Sequence, residues 1–110
     1  MAPMQRSFRQ LLLVLISLSL TGFALAATAD PKLGGARLLP QAHVKLADAR
    51  AIALKTVPGT IVDQELEKEK GGSGLRYSFD IRVGSVTHEV GVDAKDGRVL
   101  ENSIEGAHPD

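Results

Sequence analysis

The segment "LRYSFDIRV", residues 75–83, decides the fold of this chain. Apolar and polar side chains alternate along it without exception, and the apolar ones are Leu75, Tyr77, Phe79, Ile81 and Val83. A strict period of two predicts a β-strand with one buried side and one solvent-facing side. Gly84-Ser85 follows and fits a two-residue hairpin turn with glycine at its first position. Residues 86–92 are therefore expected to pair antiparallel to this strand.

The chain changes from a helical period to a strand period at Pro58-Gly59. "LADARAIALKTV", residues 46–57, is rich in alanine and predicts a helix with one buried face. Its apolar residues lie three and four apart and are Leu46, Ala49, Ile52, Ala53, Leu54 and Val57. Lys45 is a poor N-cap for this helix, whereas Pro58 and Gly59 are a strong signal for its end.

The remaining segments complete a small sheet. Residues 60–69, "TIVDQELEKE", alternate loosely, with Val62 and Leu66 on one side and Asp63, Glu65 and Glu67 on the other. The glycines of residues 71–74 indicate a turn, and residues 98–105, "RVLENSIE", are the last predicted strand. The sequence therefore predicts an α+β domain in which one helix packs on a four-stranded antiparallel meander sheet.

The most punctuated stretch of the chain is "VGVDAKDGRVLE", residues 90–101. We interpret Asp93 to Gly97 as a reverse turn, since an aspartate carboxylate accepts from the backbone two residues on and glycine supplies positive φ. The alternative is a calcium loop. Counted from Asp93, however, the third residue is Lys95 and the twelfth is Ile104, where an EF-hand needs an oxygen ligand and a bidentate glutamate.

The N-terminus has the features of a secretory signal peptide, predicted over residues 1–26. Arg6 and Arg9 precede an apolar run at residues 11–20, which is shorter than the roughly 20 residues that a membrane span needs. Cleavage is expected after Ala26, with Ala29 as a second site and a retained anchor as the alternative. Residues 27–43 are predicted to be a flexible linker, residues 44–105 the domain and residues 106–110 a disordered tail.

Charge and cysteine content narrow the function classes. Without residues 1–26 the chain has 11 basic and 13 acidic residues, a net charge of −2, which does not favour nucleic acid. The chain contains no cysteine, so neither disulfides nor thiol chemistry is available. A domain this small must be held together by its core, near the lower size limit for doing so.

The helix ending in Pro-Gly, the strand "YSFDIRV" and above all "VGVDAKDGRVL" resemble the PepSY domain family. The likeness covers roughly residues 43–105, with Pro58, Gly59, Asp93 and Gly97 as its turn positions. Lys45 departs from the small hydroxyl cap usual in the family, and the 110 residues contain no peptidase domain. The resemblance implies a non-catalytic module found in metallopeptidase propeptides and bacterial cell-envelope proteins.

The residues themselves offer little chemistry. The serines have no G-x-S-x-G setting, and the spacing of His43, His88 and His108 matches no ligand set. We expect His88 to be a partly buried histidine near a sheet edge, and we expect no cofactor or metal. The acidic residues of the first long strand are interpreted as a solvated face. The alternative is a partner-binding face formed by Glu65 and Glu67 with Arg76 and Arg82 of the neighbouring strand.

Three function classes follow. The first is an exported, periplasmic or secreted binding module that inhibits or regulates a peptidase, through a strand edge or the solvent face of the sheet. The second is a structural accessory or sensor-type subunit of an envelope complex with no peptidase involved. The third, an enzyme, is disfavoured. The expected partner is a protein of unknown identity, with no nucleic acid and no membrane after signal cleavage.

Overall fold

The computed structural model describes residues 29–105, which form one sheet covered on one side by a helix. The signal peptide predicted at residues 1–26 and the tail predicted at residues 106–110 lie outside the described residues. The elements in chain order are β1 (Leu33–Gly34), a 3-10 helix (Ala36–Gln41), α1 (Leu46–Thr56), β2 (Thr60–Lys68), β3 (Leu75–Val83), β4 (Val86–Asp93) and β5 (Val99–Ile104). The predicted fold class is confirmed, with one short strand added.

The helix α1 begins and ends where the sequence indicates. Its N-cap, Lys45, makes no side-chain capping hydrogen bond, and Val57 follows its last residue in an extended conformation. Ala49 and Ala53 are fully buried because their small side chains let the helix approach the sheet closely. Leu46, Ile52 and Leu54 pack around them, so the apolar stripe is the face that closes the core.

The four long strands form the predicted antiparallel meander, in the order β2-β3-β4-β5. The alternation of β3 places Tyr77, Phe79 and Ile81 fully inside the core, opposite Val92, Val90 and His88 of β4. The Tyr77 hydroxyl donates to the Val44 carbonyl oxygen at 2.7 Å, which satisfies its polar end within the core. The opposite side of the sheet faces solvent.

The loose alternation of apolar residues in β2 results from a β-bulge, and the sequence pattern placed Val62 on the wrong side of the strand. The register of β2 against β3 shifts between Ile61 and Asp63, as a β-bulge does. Ile61 is buried in consequence and Val62 is 42% exposed, so the prediction that Val62 faces the core is wrong. Leu66, beyond the bulge, is buried as predicted.

The segment predicted to be a flexible linker is structured over much of its length. β1 pairs parallel with β2, Leu33 opposite Gln64, which makes the sheet five-stranded rather than four-stranded. The 3-10 helix that follows buries Leu38, whereas Leu39 is 39% exposed. Gln64 is buried and receives a hydrogen bond from Arg50 of α1 at 2.7 Å, which ties the helix to this edge of the sheet. The prediction of a flexible linker is therefore wrong over residues 33–41. The sequence pattern missed this structure because its contacts join residues far apart along the chain.

Within residues 29–105, no helix is long and apolar enough to cross a membrane.

Candidate functional site

The Asp93 turn has the predicted geometry. Residues 94–96 form the turn between β4 and β5, and the Lys95 amide donates to Oδ1 of Asp93 at 2.8 Å. Gly97 has φ 82°, a conformation that side chains with a Cβ rarely adopt. The Gly97 amide also closes the turn by donating to the Asp93 carbonyl oxygen at 2.9 Å. The segment is therefore a corner between strands, as interpreted from the sequence.

Asp93 also holds a second loop, which the sequence did not indicate. Its carboxylate is fully buried and accepts from Ser73 twice, from the amide to Oδ2 at 2.7 Å and from the hydroxyl to Oδ1 at 2.7 Å. Ser73 lies in the glycine-rich turn between β2 and β3, twenty residues away along the chain. One carboxylate thus joins the two loops at this end of the sheet.

The pKa of Asp93 records the strength of this arrangement. Burial by itself raises the pKa of the carboxyl, since it penalises the charged form. Hydrogen bonds from the Ser73 hydroxyl and from the amides of Lys95, Ser73 and Asp96 outweigh burial and leave the pKa below its ordinary value. The side chain is therefore ionised at neutral pH, and both of its oxygens accept hydrogen bonds from the chain, which makes it a structural anchor.

The Pro58-Gly59 motif lies at the opposite end of β3. A Cβ added to Gly59 would lie 2.6 Å from the Arg82 carbonyl oxygen and 2.9 Å from side-chain carbons of Ile81 and Val83. Glycine is therefore required where the chain leaves the helix and passes directly over β3. The four turn residues Pro58, Gly59, Asp93 and Gly97 do not form one site. They are two separate structural corners.

The alternation of β3 predicts that Arg76 faces solvent, but the structure shows its side chain buried. Its side chain is only 9% exposed and lies over Gly91, where an added Cβ would be 3.1 Å from Nη1. Nη1 donates to Glu101 at 3.1 Å and Nη2 to the Lys70 carbonyl oxygen at 3.0 Å. The Arg76 side chain is buried because Gly91 has no side chain to displace it and because Glu101 of β5 accepts its hydrogen bond. Arg76 is part of the fold rather than of an open partner face.

The other predicted face residues do lie on the solvent side of the sheet. Glu65 and Arg82 are exposed and Glu67 is half-buried, with its carboxylate accepting from the Ser78 hydroxyl at 2.8 Å. The register brings further carboxylates beside them from β3, β4, β5 and the residue after β5. We call this set the acidic face: Asp63, Glu65, Glu67, Asp80, Glu89, Glu101 and Glu105.

The centre of the acidic face is crowded. Asp80, Glu89 and Glu105 each place a carboxylate oxygen within 4.8 Å of the others. Two like charges at that distance repel by about 1 kcal/mol even in water. The period of two in β3 predicts that Asp80 lies on this side of the sheet, but the register with β4 and β5 was needed to find the cluster. Exposed acidic groups of this kind are common without an ion.

Crowding and burial act together on three of these carboxyls. Partial burial raises the pKa of Glu67, Asp80 and Glu89, and neighbouring carboxylates raise each of them further. In Glu67 the hydrogen bond from Ser78 opposes the rise without cancelling it. Ionising these three carboxyls is therefore less favourable in the folded domain than in the unfolded chain.

The histidines within residues 29–105 lie apart from the acidic face. His88 is half-buried on the helix side of the sheet, as predicted, but on β4, one strand in from the edge. His43 is exposed, and its amide donates to the Ala94 carbonyl oxygen at 2.8 Å. His108 lies outside the described residues. The serines whose hydroxyls donate to side chains, Ser73, Ser78 and Ser103, all donate to carboxylates.

The comparison with known families covers α1 and both corners. Residues 44–102 match the family described as "Peptidase propeptide and YPEB domain", PepSY. The match spans more than half of the chain, and the protein belongs to the PepSY family. Domains of this family are associated with peptidase propeptides and inhibitor-like modules, are generally non-catalytic and are typically extracellular or periplasmic. Neither a curated protein nor a solved structure matches the chain.

Proposed function

We propose that this protein is a non-catalytic binding domain that acts outside the cytoplasm and regulates a peptidase, with inhibition as the form of regulation. Membership of the PepSY family supports the class. The observation that carries the proposal is the acidic face, on which seven carboxylates share the solvent side of one small sheet.

The acidic face contributes charge repulsion to the folded state rather than stability. Burial and mutual repulsion raise the pKa of Glu67, Asp80 and Glu89, which means that ionising them opposes folding. A partner with a cationic surface relieves this repulsion when it covers the face. Complementary charge also steers association and selects against wrong partners. A binding role therefore gives a reason for the face that folding does not.

The most buried carboxylate also supports a binding role over a catalytic one. Asp93 is fully buried and its carboxylate accepts three hydrogen bonds from its own chain, two of them from backbone amides. A general base needs a lone pair directed at a substrate proton. Both oxygens of Asp93 instead accept hydrogen bonds that hold the two loops together.

The test is a titration of secreted zinc metallopeptidases with the purified protein, followed by cleavage of a fluorogenic peptide. We expect inhibition of at least one peptidase that is complete at an equimolar ratio. Glu65→Lys should weaken it at least about tenfold, a change of 1.4 kcal/mol in binding free energy. Asp48→Lys is the matched control, since Asp48 is exposed on the helix side and the charge change is the same.

Two results would separate the proposal from its alternative. Full activity of every peptidase at excess protein, with co-purification of a non-peptidase envelope protein, supports a structural accessory role and contradicts peptidase regulation. If Glu65→Lys and Asp48→Lys weaken inhibition equally, peptidase regulation is retained, but the acidic face is not the surface that binds the peptidase.

A further inference from the structure

The two edges of the sheet differ in how far other segments of the chain cover them. On one side β1 pairs with Gln64 and Glu65 of β2, and the 3-10 helix packs beside it. On the other side β5 pairs with β4 alone, and no strand within residues 29–105 pairs with its outer edge. Natural proteins usually protect such an edge with charged side chains, lysine above all, with proline or with a covering segment. β5, "VLENSI", has neither lysine nor proline.

The outward backbone groups of β5 can be assigned from its pairing. The Glu105 amide donates to the Thr87 carbonyl oxygen at 2.8 Å, so Glu105 directs its backbone groups towards β4. Successive residues of an antiparallel strand direct them alternately inwards and outwards. Asn102 and Ile104 therefore present their amide and carbonyl groups to the outside, ready to pair with another strand.

The side chains along this edge differ between the two sides of the sheet. On the helix side Ile104 is 65% exposed, opposite His88 of β4. On the solvent side lie Glu101 and Glu105, which belong to the acidic face. A strand added at this edge would alternate between an apolar environment beside Ile104 and an acidic environment beside the two glutamates.

We propose that the outer edge of β5 binds an extended segment of a partner protein in which apolar residues alternate with lysine or arginine. The proposal rests on the proposed function and identifies the contact through which the partner is captured. Main-chain hydrogen bonds to Asn102 and Ile104 provide the pairing, and the alternate side chains provide selectivity. A second copy of this chain fits poorly, because antiparallel pairing of two β5 edges brings their glutamates together on one side.

The probe is an eight-residue peptide of alternating valine and lysine with blocked ends, added to the purified full chain. A matched peptide with glutamate in place of lysine tests the charge, and one with N-methylated amides along the pairing edge tests the backbone. Binding is followed by NMR amide shifts. We expect the lysine peptide to bind with shifts centred on residues 99–105, and each matched peptide to bind at least about tenfold more weakly.

Variants of β5 test the same contact from the protein side. Asn102→Pro removes an outward amide and leaves the hydrogen bonds to β4 in place, which edge strands tolerate. It should weaken peptide binding at least about tenfold, whereas Asn102→Ser, which keeps the amide, should not. If Asn102→Pro does not fold, Ile104→Lys decides, since it places a charge on the apolar side of the edge and should weaken binding of the lysine peptide to the same extent.

Several outcomes overturn the proposal. It fails if the glutamate or N-methylated peptide binds as well as the lysine peptide, if folded Asn102→Pro binds like the wild type, or if the shifts centre on Ser78 and Glu89. Its failure is distinguishable from failure of the proposed function. Loss of peptidase inhibition in Glu65→Lys but not in Asn102→Pro retains the binding domain and rejects the β5 edge.

Discussion

The buried carboxylate of Asp93 gives the sharpest prediction about stability. In Asp93→Asn the shape is retained, but one oxygen becomes an NH2 group. If Oδ1 remains, it still accepts from the Ser73 hydroxyl and the Lys95 amide, and the new NH2 group faces the Ser73 amide. One hydrogen bond to a charged acceptor is lost, worth about 1.5–3 kcal/mol, and a donor is left unsatisfied. We expect a loss of about 2–4 kcal/mol in the free energy of unfolding.

That loss is large for a domain of this size. The total free energy of unfolding of a domain with 77 described residues is about 4–12 kcal/mol at typical values per residue. For such a domain each kcal/mol lowers Tm by about 4–8 °C, so we expect Asp93→Asn to lower Tm by at least about 8 °C.

The assay is thermal unfolding followed by circular dichroism, with urea unfolding at 25 °C as a second measure. Asp96→Asn is the matched control in the same turn, since its side chain is 51% exposed and its Oδ1 can still accept from the Arg98 amide. It should change stability by no more than about 0.5 kcal/mol. Equal melting temperatures for the two variants would refute the view that Asp93 joins the loops.

Three further predictions follow from the same contacts. Arg76→Ala should cost about 1–2 kcal/mol by removing the hydrogen bonds to Glu101 and to the Lys70 carbonyl oxygen, whereas Arg82→Ala should cost no more than about 0.5 kcal/mol; similar urea midpoints would contradict the burial of Arg76. Gly97→Val should lose about 1–2 kcal/mol, since φ is 82° and its Cβ would lie 3.3 Å from Ile52 Cδ1; an unchanged Tm would contradict the turn geometry. Urea unfolding between pH 7 and pH 3 should show stability rising as the pH falls towards about 4–5, since the raised pKa values of the acidic face favour proton uptake by the folded state. Below about pH 4 stability should fall, because the lowered pKa of Asp93 makes its protonation oppose folding; a steady decline from pH 7 would contradict this account.

The local patterns were sufficient for the helix, the meander and the Asp93 turn. Strict alternation in β3 and the Pro58-Gly59 stop depend only on neighbouring residues, and the structure confirms the elements they predicted. The bulge at Ile61 was not predictable in this way. A bulge shifts which side chains face the core without leaving a distinctive sequence signal.

The features that were missed depend on register. Ser73 reaches Asp93 across twenty residues, and β1 pairs with β2 across thirty-one. Arg76 is buried because its side chain lies over Gly91, which pairs with Ser78 of β3, and reaches Glu101, which pairs with Gly91 from β5. The acidic face was found only in part from sequence, since Glu65 and Glu67 are local neighbours but Asp80, Glu89 and Glu105 meet through strand pairing.

The most direct test of the central claim, that the acidic face of a PepSY domain captures a partner, is the salt dependence of complex formation. Analytical ultracentrifugation of the purified protein with the peptidase that it inhibits would measure Kd between about 0.1 M and 1 M salt, over which the Debye length falls from about 10 Å to 3 Å. The account predicts an equimolar complex that weakens steeply over this range and is lost in Glu65→Lys. A complex with the same Kd at both salt concentrations and in the variant would contradict it.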